Sequence, residues 1–327
     1  MSTSADEFVS DLNLRPTVTV AIPVLDEAEH LAATLDSIRA QTYRFVMEVI
    51  VVDGGSTDRT CEIARGYEGL AVRVFDNPNR AQAPALNIAL REARGELFVR
   101  VDGHCVLEAD YVERCVDALN VSGAAIVGGG MSPEADGAVP HGIARAMTSR
   151  LGAGPARFHT GGPAGWVDTV YLGAFPTALA RGLGGYAEDV GVNEDAELAI
   201  RLGRMGGVWF DPAIRSHYTP RRSVRALARQ FYRYGHSRAL TVRHYPETLR
   251  PRQMVPPLLV LALLSPWRKK VLAVYGAGIL ARTAMEAARD PRAAPGFAVS
   301  LPTMHVAWGV GFLVGASGAR ARDGRRA

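Results

Sequence analysis

The chain has 327 residues, of which 48% are hydrophobic, so it can form one large α/β domain with an appendage or two modest domains. Its three cysteines (Cys61, Cys105 and Cys115) lack C-x-x-C spacing, which argues against a disulfide framework and against a zinc site. The N-terminus is polar and acidic, so we expect no cleaved secretion signal and a cytosolic location for the bulk of the chain.

The net charge of +4 conceals an asymmetry along the sequence. Residues 1–200 carry 15 arginines against 28 acidic residues, a balance of −13. Residues 201–327 carry 22 basic residues against 5 acidic ones, a balance of +17. Because long apolar runs separate these basic residues, the pattern indicates an anionic membrane surface or a phosphate-rich substrate. The same apolar runs disfavour a nucleic acid partner.

The first hundred residues alternate between strand and helix patterns. Strands are predicted at 18–24, 46–52, 71–75 and 97–101. Helices are predicted around Leu31, Leu35 and Ile38, after the polar residues 56–58, and over residues 83–93. This alternation predicts right-handed βαβ units and an α/β fold with a mainly parallel sheet flanked by helices.

Two of these predicted strands end on an aspartate. Asp53 follows the second strand, and Asp102 follows the fourth, in the stretch VRVDGH (residues 99–104). Because the carboxyl ends of parallel strands meet at one sheet edge, we expect Asp53 and Asp102 to share a ligand site. Asp102 and His104 can hold one divalent metal ion, which beside a nucleotide-sized crevice indicates diphosphate chemistry. A turn or helix cap is the alternative use of either aspartate.

In the middle of the chain the patterns weaken. Residues 131–165 are rich in Gly, Pro and Ala, which predicts a long, mobile connection with short helical turns. Further along we predict a strand over 167–175, a helix capped by Asn193, a short strand over 208–210 and an arginine-rich helix from Ser223.

Three apolar runs follow at 255–264, 271–281 and 297–316. A helix needs about 20 residues to span a bilayer, so only the last run is long enough, and it contains Pro302 and His305. The two shorter runs are interpreted as interfacial or re-entrant helices. A buried helical subdomain is the alternative, because periodicity does not separate the two.

A dinucleotide-binding dehydrogenase is the obvious competitor for a parallel sheet. That fold needs glycines directly after the first strand, so that the backbone can approach a pyrophosphate. Residues 21–29 (AIPVLDEAE) contain none, and the glycines at 128–130 continue into MSP rather than into a helix. The dehydrogenase hypothesis is therefore rejected.

Several segments between residue 17 and about residue 240 together resemble the family 2 glycosyltransferases, which have the GT-A fold. They are PVLDE (23–27), VVDGGSTD (51–58), NRA (79–81), ALN (85–87) and DGH (102–104). Asp26 stands where the family usually has Asn, and His104 stands where its metal-binding D-x-D motif has the last Asp. Within the family, the chain is similar to the bacterial membrane-associated exopolysaccharide transferases of the succinoglycan type.

The resemblance implies a nucleotide site and a metal site. The implied nucleotide contacts are Pro23, Val24, Glu27, Asp53, Arg80, Asn87 and Asp102. The implied ligands of Mn²⁺ or Mg²⁺ are Asp102, His104 and His217, and the imidazole in place of a carboxylate favours Mn²⁺. An ordinary polar loop residue is the alternative for His104.

The resemblance also assigns the transfer chemistry. Glu194 and Asp195 match the family's E-D pair, and we assign Asp195 as the base that takes the acceptor proton, with Glu194 orienting the acceptor. Acids in the first turn of a helix also complement its dipole without any further function. The diphosphate and acceptor contacts are assigned to Arg222, Gln230, Arg233 and Tyr234. Gln230, Arg233 and Tyr234 are similar to the family's Q-x-x-R-W motif, and a solvated basic helix face is the alternative.

These observations predict a tail over 1–16, a GT-A domain over 17–245 and a membrane-associated helical region over 246–327. The expected function is inverting, metal-assisted transfer from a nucleotide-diphosphate sugar, with UDP preferred, to a lipid-linked or polysaccharide acceptor at the cytoplasmic face of the membrane. A non-catalytic membrane-bound subunit of a polysaccharide-assembly complex is the alternative, which the intact acidic residues disfavour. The spacing of Gly311 and Gly315 allows a homodimer.

Overall fold

The computed structural model of the protein describes residues 15–135, 137–220 and 222–318. Within these residues the chain divides into two compact units. The first unit contains the described residues of Met1–Ser132, Gly161–Glu188 and Glu194–Tyr218. The second unit contains those of Pro133–Thr160, Asp189–Asn193 and Thr219–Ala327. Of the predicted tail, residues 1–14 lie outside the described residues, and the predicted boundary at residue 245 lies inside the second unit.

Nine strands of the described residues form one sheet. In chain order they are β1 (Val18–Val24), β2 (Val46–Asp53), β3 (Val72–Asp76), β4 (Leu97–Arg100), β5 (Cys105–Leu107), β6 (Ile126–Pro133), β7 (Gly165–Trp166), β8 (Tyr171–Pro176) and β9 (Val208–Tyr218). Their order along the sheet is β3-β2-β1-β4-β8-β6-β9-β5, and β7 pairs with β9.

The part of the sheet formed by the first hundred residues is parallel. β1 pairs with β2 on one side and β4 on the other, and β3 pairs with β2. Most side chains of β1, β2 and β4 are buried on both faces, as in a sheet covered by helices: the neighbours Val20 and Ala21 are both fully buried. β3, at the edge of the sheet, is only partly buried. β8 then pairs antiparallel with β4, and β5 and β7 pair antiparallel with β9. The α/β prediction is confirmed, with an antiparallel extension that it did not include.

The described residues also form thirteen α-helices. They are α1 (Leu31–Arg39), α2 (Thr60–Arg65), α3 (Gln82–Glu92), α4 (Tyr111–Ser122), α5 (Ala138–Met147), α6 (Arg150–Ala153), α7 (Arg157–Thr160), α8 (Thr177–Gly182), α9 (Glu194–Gly206), α10 (Val224–His244), α11 (Val255–Leu263), α12 (Arg268–Arg289) and α13 (Ala294–Ala316). The predicted apolar face of α1 is confirmed, because Leu31, Leu35 and Ile38 are all buried.

Two expectations for the middle of the chain are corrected. The strand predicted over 208–210 continues to Tyr218, with Ile214 and Ser216 among its buried positions; Ser216 interrupts the apolar alternation in the sequence. The segment 131–165 contains α5, a helix of ten residues that buries Ile143 and Met147. Pro140 and Gly142 lie within it, and because both residue types are unfavourable in helices, the sequence did not predict this helix.

In the second unit, α13 packs along α10 through glycines. A Cβ on Gly311 would lie 2.0 Å from the carbonyl oxygen of Tyr232, and one on Gly235 would lie 2.0 Å from that of Trp308. A Cβ on Gly315 would likewise meet α10 backbone at 2.6 Å. Such a close approach requires glycine. The spacing of Gly311 and Gly315 thus serves packing within one chain, and it no longer supports a homodimer.

Two helices of the described residues are long and apolar enough, by length and composition, to cross a membrane. They are α12, with 22 residues, and α13, with 23. The run 271–281, interpreted from the sequence as a short interfacial or re-entrant helix, is thus part of a longer helix that continues through charged residues at both ends. α12 exposes Leu272, Val274 and Leu280, whereas α13 is partly buried.

Candidate active site

The turn after β2 is built around Asp53, the last residue of that strand. The Asp53 carboxylate accepts hydrogen bonds from the backbone amides of Gly55 (2.9 Å) and Ser56 (3.0 Å). Burial raises the pKa of Asp53, but these hydrogen bonds and that of the Ser56 hydroxyl outweigh burial and lower it. The structure therefore supports the turn-forming alternative for Asp53, which also fixes this carboxylate at the sheet edge.

The other predicted residues at this edge lie close to that turn. Pro23 and Val24 end β1, which pairs in register with the end of β2. Arg80 adopts a left-handed φ of 56°, and its Nη2 donates to the carbonyl oxygen of Gly55 at 3.3 Å. Pro23, Val24, Arg80 and Asp53 thus lie together at one edge of the sheet, and their contact with a nucleotide stays a prediction.

Asp102 follows β4, and its two oxygens have different partners. Oδ1 accepts hydrogen bonds from Arg100 Nη2 (3.1 Å) and Gln82 Nε2 (3.3 Å), whereas Oδ2 accepts from the Tyr171 hydroxyl (3.4 Å). Burial raises the pKa of Asp102, but the positive charges of Arg100 and His104 outweigh burial and hold that pKa below its ordinary value. Asp102 is therefore an anion at neutral pH.

Arg100 joins Asp102 to the acidic pair at the start of α9. Its Nη1 lies 3.4 Å from Glu194 Oε1 and 3.8 Å from Asp195 Oδ2. The side chains of Arg100 and Glu194 are 6% and 2% exposed, whereas that of Asp195 is 37% exposed. Because one guanidinium cannot neutralise three carboxylates, the cluster keeps a negative excess that would attract a cation.

Among these acidic groups, Glu194 has the most strongly altered pKa. This pKa is raised from 4.5 to about 7, mainly by burial and also by the charge of Asp195, although the charge of Arg100 lowers it. Glu194 Oε2 is buried and has no hydrogen-bond partner among the described residues. A buried carboxyl group that exchanges its proton near neutral pH is typical of functional sites.

His104 contacts a second predicted residue, Glu27. His104 Nδ1 lies 2.8 Å from Glu27 Oε1, and the His104 ring centroid lies 5.6 Å from that of Tyr218. With Nδ1–H donating to Glu27, the imidazole would present Nε2 to a metal ion, an arrangement in which a carboxylate orients a ligating histidine. Glu27 would therefore act on a bound metal ion only through His104.

The donors of Asp102 and His104 fit a divalent cation that a nucleotide also ligates. A carboxylate oxygen and an imidazole nitrogen suit Mn²⁺ better than Mg²⁺. Over the described ranges, no three or more His, Cys, Asp or Glu side chains are grouped to hold a metal ion. The protein would thus supply few ligands, and diphosphate and water oxygens would complete the coordination.

His217, the third predicted metal ligand, lies on the other face of its strand. The pairing of β5 with β9 sets Tyr218 opposite Cys105 and His217 opposite Val106. Neighbouring residues of a strand point to opposite faces, so His217 points away from the side on which Tyr218 approaches His104. His217 Nε2 instead lies 2.7 Å from Oε1 of Glu108, the residue that follows β5. The assignment of His217 as a metal ligand is therefore corrected.

Asn87 uses its side-chain amide to hold the loop before α9. Its Nδ2 donates to the carbonyl oxygen of Tyr186 and to Glu188 Oε1, both at 2.9 Å. Its Oδ1 accepts the backbone amide of Tyr186 at 2.7 Å. Direct nucleotide contact by Asn87 is thus replaced by a positioning function.

The residues predicted for the diphosphate and acceptor belong to the second unit. Arg222 precedes α10, and the Ser223 hydroxyl caps that helix. Gln230 Nε2 donates to the Tyr234 hydroxyl at 2.9 Å, which places both residues on one face of α10. Arg233 and Tyr234 are exposed. Their contact with a diphosphate or an acceptor stays a prediction.

Arg100 is the main site residue that sequence reasoning missed. It lies inside an apolar strand, and a lone arginine in a buried strand requires acidic partners, so the signal was present. Tyr171 and Gln82 also contact Asp102, but neither has a distinctive sequence context. Their positions follow from strand pairing and helix placement rather than from a motif.

The parallel strands β3-β2-β1-β4, the antiparallel strands that extend them and the carboxylates at the sheet edge form a mixed α/β fold of the GT-A type. Residues 19–161 match the family model for glycosyl transferase family 2. The chain is 33% identical to succinoglycan biosynthesis protein ExoA of Rhizobium meliloti (strain 1021), over 94% of this chain and 96% of that protein. The chain belongs to glycosyltransferase family 2.

Solved structures show the same fold. A mannosyltransferase, PcManGT, from Pyrobaculum calidifontis in complex with GDP-Man and Mn²⁺ matches with a TM-score of 0.62 and 25% identity, over 91% of this chain and 87% of that one. S. aureus TarS 1–349 in complex with UDP matches with a TM-score of 0.51 and 16% identity, over 94% and 93% of the two chains.

Proposed function

We propose that this glycosyltransferase moves a sugar, with inversion, from a nucleotide-diphosphate sugar to a lipid-linked or polysaccharide acceptor. The observation that carries the proposal is the contact of one buried guanidinium, Arg100, with Asp102, Glu194 and Asp195. The carboxylate assigned to the donor and the pair assigned to the acceptor therefore lie within the span of a single side chain. Inversion requires donor and base on opposite sides of one anomeric carbon, which such closeness allows.

In the proposed reaction, the acceptor hydroxyl oxygen attacks the anomeric carbon and the bond from that carbon to the diphosphate breaks. Asp195 takes the hydroxyl proton, and the nucleoside diphosphate leaves with the bonding electrons. Asp195 suits this function because its side chain is 37% exposed and can reach a bound acceptor. Glu194, expected from the sequence to orient the acceptor, is 2% exposed and lies against Arg100, so it would instead position Arg100 and Asp195.

Asp102 and His104 would hold a divalent cation, for which we propose Mn²⁺. Such an ion would neutralise the charge that develops on the leaving diphosphate. Glu27 would keep the His104 ring in position through its contact with Nδ1. Asp53 and Arg80 lie at the edge where the nucleoside would bind.

UDP is the nucleotide that we propose for the donor, and GDP is the competitor because PcManGT is complexed with GDP-Man. Calorimetry of the full chain in mild detergent, with UDP-, GDP- and dTDP-sugars and with or without Mn²⁺, distinguishes them. Metal-dependent binding of UDP-sugars is the expected result. Binding of no nucleotide sugar under any condition would support the non-catalytic alternative.

The assignment of the base is tested by Asp195→Asn, which keeps the shape of the side chain and removes its basicity. Turnover should fall by about 10²-fold or more, with donor affinity near that of the unaltered protein. Glu194→Gln is the matched variant, and it should reduce turnover less. If Asp195→Asn kept most of the activity, the base would have to be another group.

We further propose that the protein is bound to the cytoplasmic face of the cell membrane, where a lipid-linked acceptor would be available. The support is the length and composition of α12 and α13 and the basic charge of the C-terminal part. The protein should sediment with membranes and stay there at high salt, because salt screens charges but not apolar burial. Release by salt alone would contradict insertion.

A further inference from the structure

The second unit contains an arginine-lined cavity of about 390 Å³. Its walls come from α5, α6, the end of α7 and the last turns of α12. The side chains that line it are Arg145, Thr148, Ser149, Arg150, Leu151, Thr160, Arg282, Met285, Glu286 and Arg289. Four arginines against one glutamate give this cavity an excess of three positive charges.

Glu286 neutralises only part of the positive charge of the cavity. Its side chain is 2% exposed, and its Oε1 lies 2.6 Å from Arg145 Nε and its Oε2 lies 3.6 Å from Arg282 Nη2. A buried carboxylate of this kind is stable only when paired, so Glu286 fixes both guanidinium groups in the wall. Nη1 of Arg282 is nevertheless buried without a hydrogen-bond partner among the described residues.

The other two arginines are not neutralised by the protein. Arg150 and Arg289 are exposed at the rim, and neither guanidinium group makes a hydrogen bond or an ion pair with a described residue. Positive charges that gather around one concave surface raise the local concentration of anions. Guanidinium groups bind phosphate oxygens in pairs, so the cavity has the chemistry of a phosphate site.

The surroundings of the cavity favour a lipid over a soluble phosphate. Met285 lines the cavity and is exposed, and the same helix exposes Leu272, Val274 and Leu280. Leu280 lies about 13 Å along the helix from Arg289, at 1.5 Å per residue. A phosphate held by the arginines could therefore have an apolar chain lying along α12. Basic pockets beside apolar helices are typical sites for lipid head groups.

We propose that this cavity binds the phosphate head group of a membrane lipid, with Arg150 and Arg289 donating hydrogen bonds to the phosphate oxygens. The proposal goes beyond the transferase reaction, because it holds whether the lipid carries the acceptor or is a bulk phospholipid. Arg145 and Arg282, held by Glu286, form the inner wall.

The test is calorimetry of the full chain in a neutral maltoside detergent with three probes. They are farnesyl phosphate, dihexanoyl phosphatidic acid and inorganic phosphate. We expect at least one lipid phosphate to bind about tenfold or more tightly than inorganic phosphate. Preference for farnesyl phosphate would identify a polyprenyl source, and preference for phosphatidic acid a phospholipid source. Equal binding of all three would overturn the lipid assignment.

The location is tested with Arg150→Ala combined with Arg289→Ala, at rim positions where a folding defect is not expected. The matched control is Arg268→Ala with Lys269→Ala, which removes the same charge from the opposite end of α12. The rim variant should weaken lipid-phosphate binding about tenfold, and the control less than twofold. Equal weakening in both would overturn the site. UDP binding, measured in parallel, should be unchanged in both variants, which separates this proposal from that of the transferase reaction.

Discussion

Arg100 Nη1 and Glu194 Oε1 lie 3.4 Å apart, although 94 residues separate them in the sequence. Both side chains are almost fully buried, and the contact ties the end of β4 to the first turn of α9. The same guanidinium holds Asp102 at 3.1 Å. A buried charge network of this kind fixes a unique arrangement, because loss of one member leaves the others uncompensated.

Arg100→Met should therefore destabilise the protein strongly. Removing one partner of a buried ion pair costs about 3–5 kcal/mol, and here three carboxylates lose their shared cation. Arg100→Lys keeps the charge but loses the planar fork, so its effect should be intermediate. Urea unfolding of the full chain in mild detergent, followed by tryptophan fluorescence, measures the difference.

The control for this comparison is Arg59→Ala. Arg59 pairs with Glu62 on the surface, where both side chains are mostly exposed and screened by water, so its loss should destabilise the protein far less than the loss of Arg100. If Arg100→Met proved as stable as Arg59→Ala, the network around Arg100 would not hold the site together.

Much of this site could be predicted from the sequence because motifs fix the strand ends. Asp53 ends an apolar strand and Asp102 follows another. Parallel pairing brings the carboxyl ends of such strands to one edge of the sheet, independently of the conformation of the connecting loops. His217 shows the opposite case. The register between β5 and β9 decides on which face of the sheet the His217 side chain lies. A shift of one residue would have placed His217 on the face that Tyr218 now occupies. No motif in the sequence specifies that register.

The C-terminal helices show a second limit of prediction from sequence. The spacing of Gly311 and Gly315 indicates close helix packing, but the sequence does not say which helix they pack against. The structure identifies α10 of the same chain as that partner. Conversely, Arg100 could have been predicted as a site residue, because a charge inside a buried strand demands partners.

Glu194 should make stability depend on pH. Its pKa is raised from an ordinary value of 4.5 to about 7 by burial, so the folded state binds more protons than the unfolded state between these values. Stability contributed by the protonated form is therefore present at low pH and lost as pH rises from about 4.5 to about 7. The stability of Glu194→Gln minus that of the unaltered protein should therefore be larger at pH 8 than at pH 5.

Thermal unfolding of both proteins at the two pH values provides the measurement. Glu62→Gln is the control, because Glu62 is exposed and its pKa is lowered by hydrogen bonds from Arg59. That variant should show no gain at pH 8. A Glu194→Gln protein whose stability parallels that of the unaltered protein at both pH values would show that Glu194 is ionised normally.

Mn²⁺ should strengthen nucleotide binding through His104. Without a cation, the diphosphate and the carboxylates of this edge repel each other, so EDTA should weaken UDP binding. His104→Ala should reduce the gain from Mn²⁺ about tenfold, because loss of a ligand or its support commonly costs 10–100-fold in metal affinity. His30→Ala, which removes an imidazole from α1's N-cap position, is the control and should leave the gain unchanged. Equal UDP affinity with EDTA and with Mn²⁺ would contradict the metal site.

Gly311→Ala should destabilise the second unit by forcing α13 away from α10. The new methyl group would lie 2.0 Å from a backbone oxygen of Tyr232, and backbone cannot move aside as a flexible side chain can. Overpacking of this kind costs about 1–3 kcal/mol. Gly276→Ala is the matched control: Gly276 lies in α12, and a Cβ there would meet nothing within 4 Å. That change should be neutral or should stabilise the protein by up to about 1 kcal/mol through helix propensity.

Melting temperatures of the two variants, measured in one detergent, decide the comparison, and light scattering records the mass of the particle. A Gly311→Ala protein that melts like the control but changes from dimer to monomer would show that this glycine face packs between copies instead.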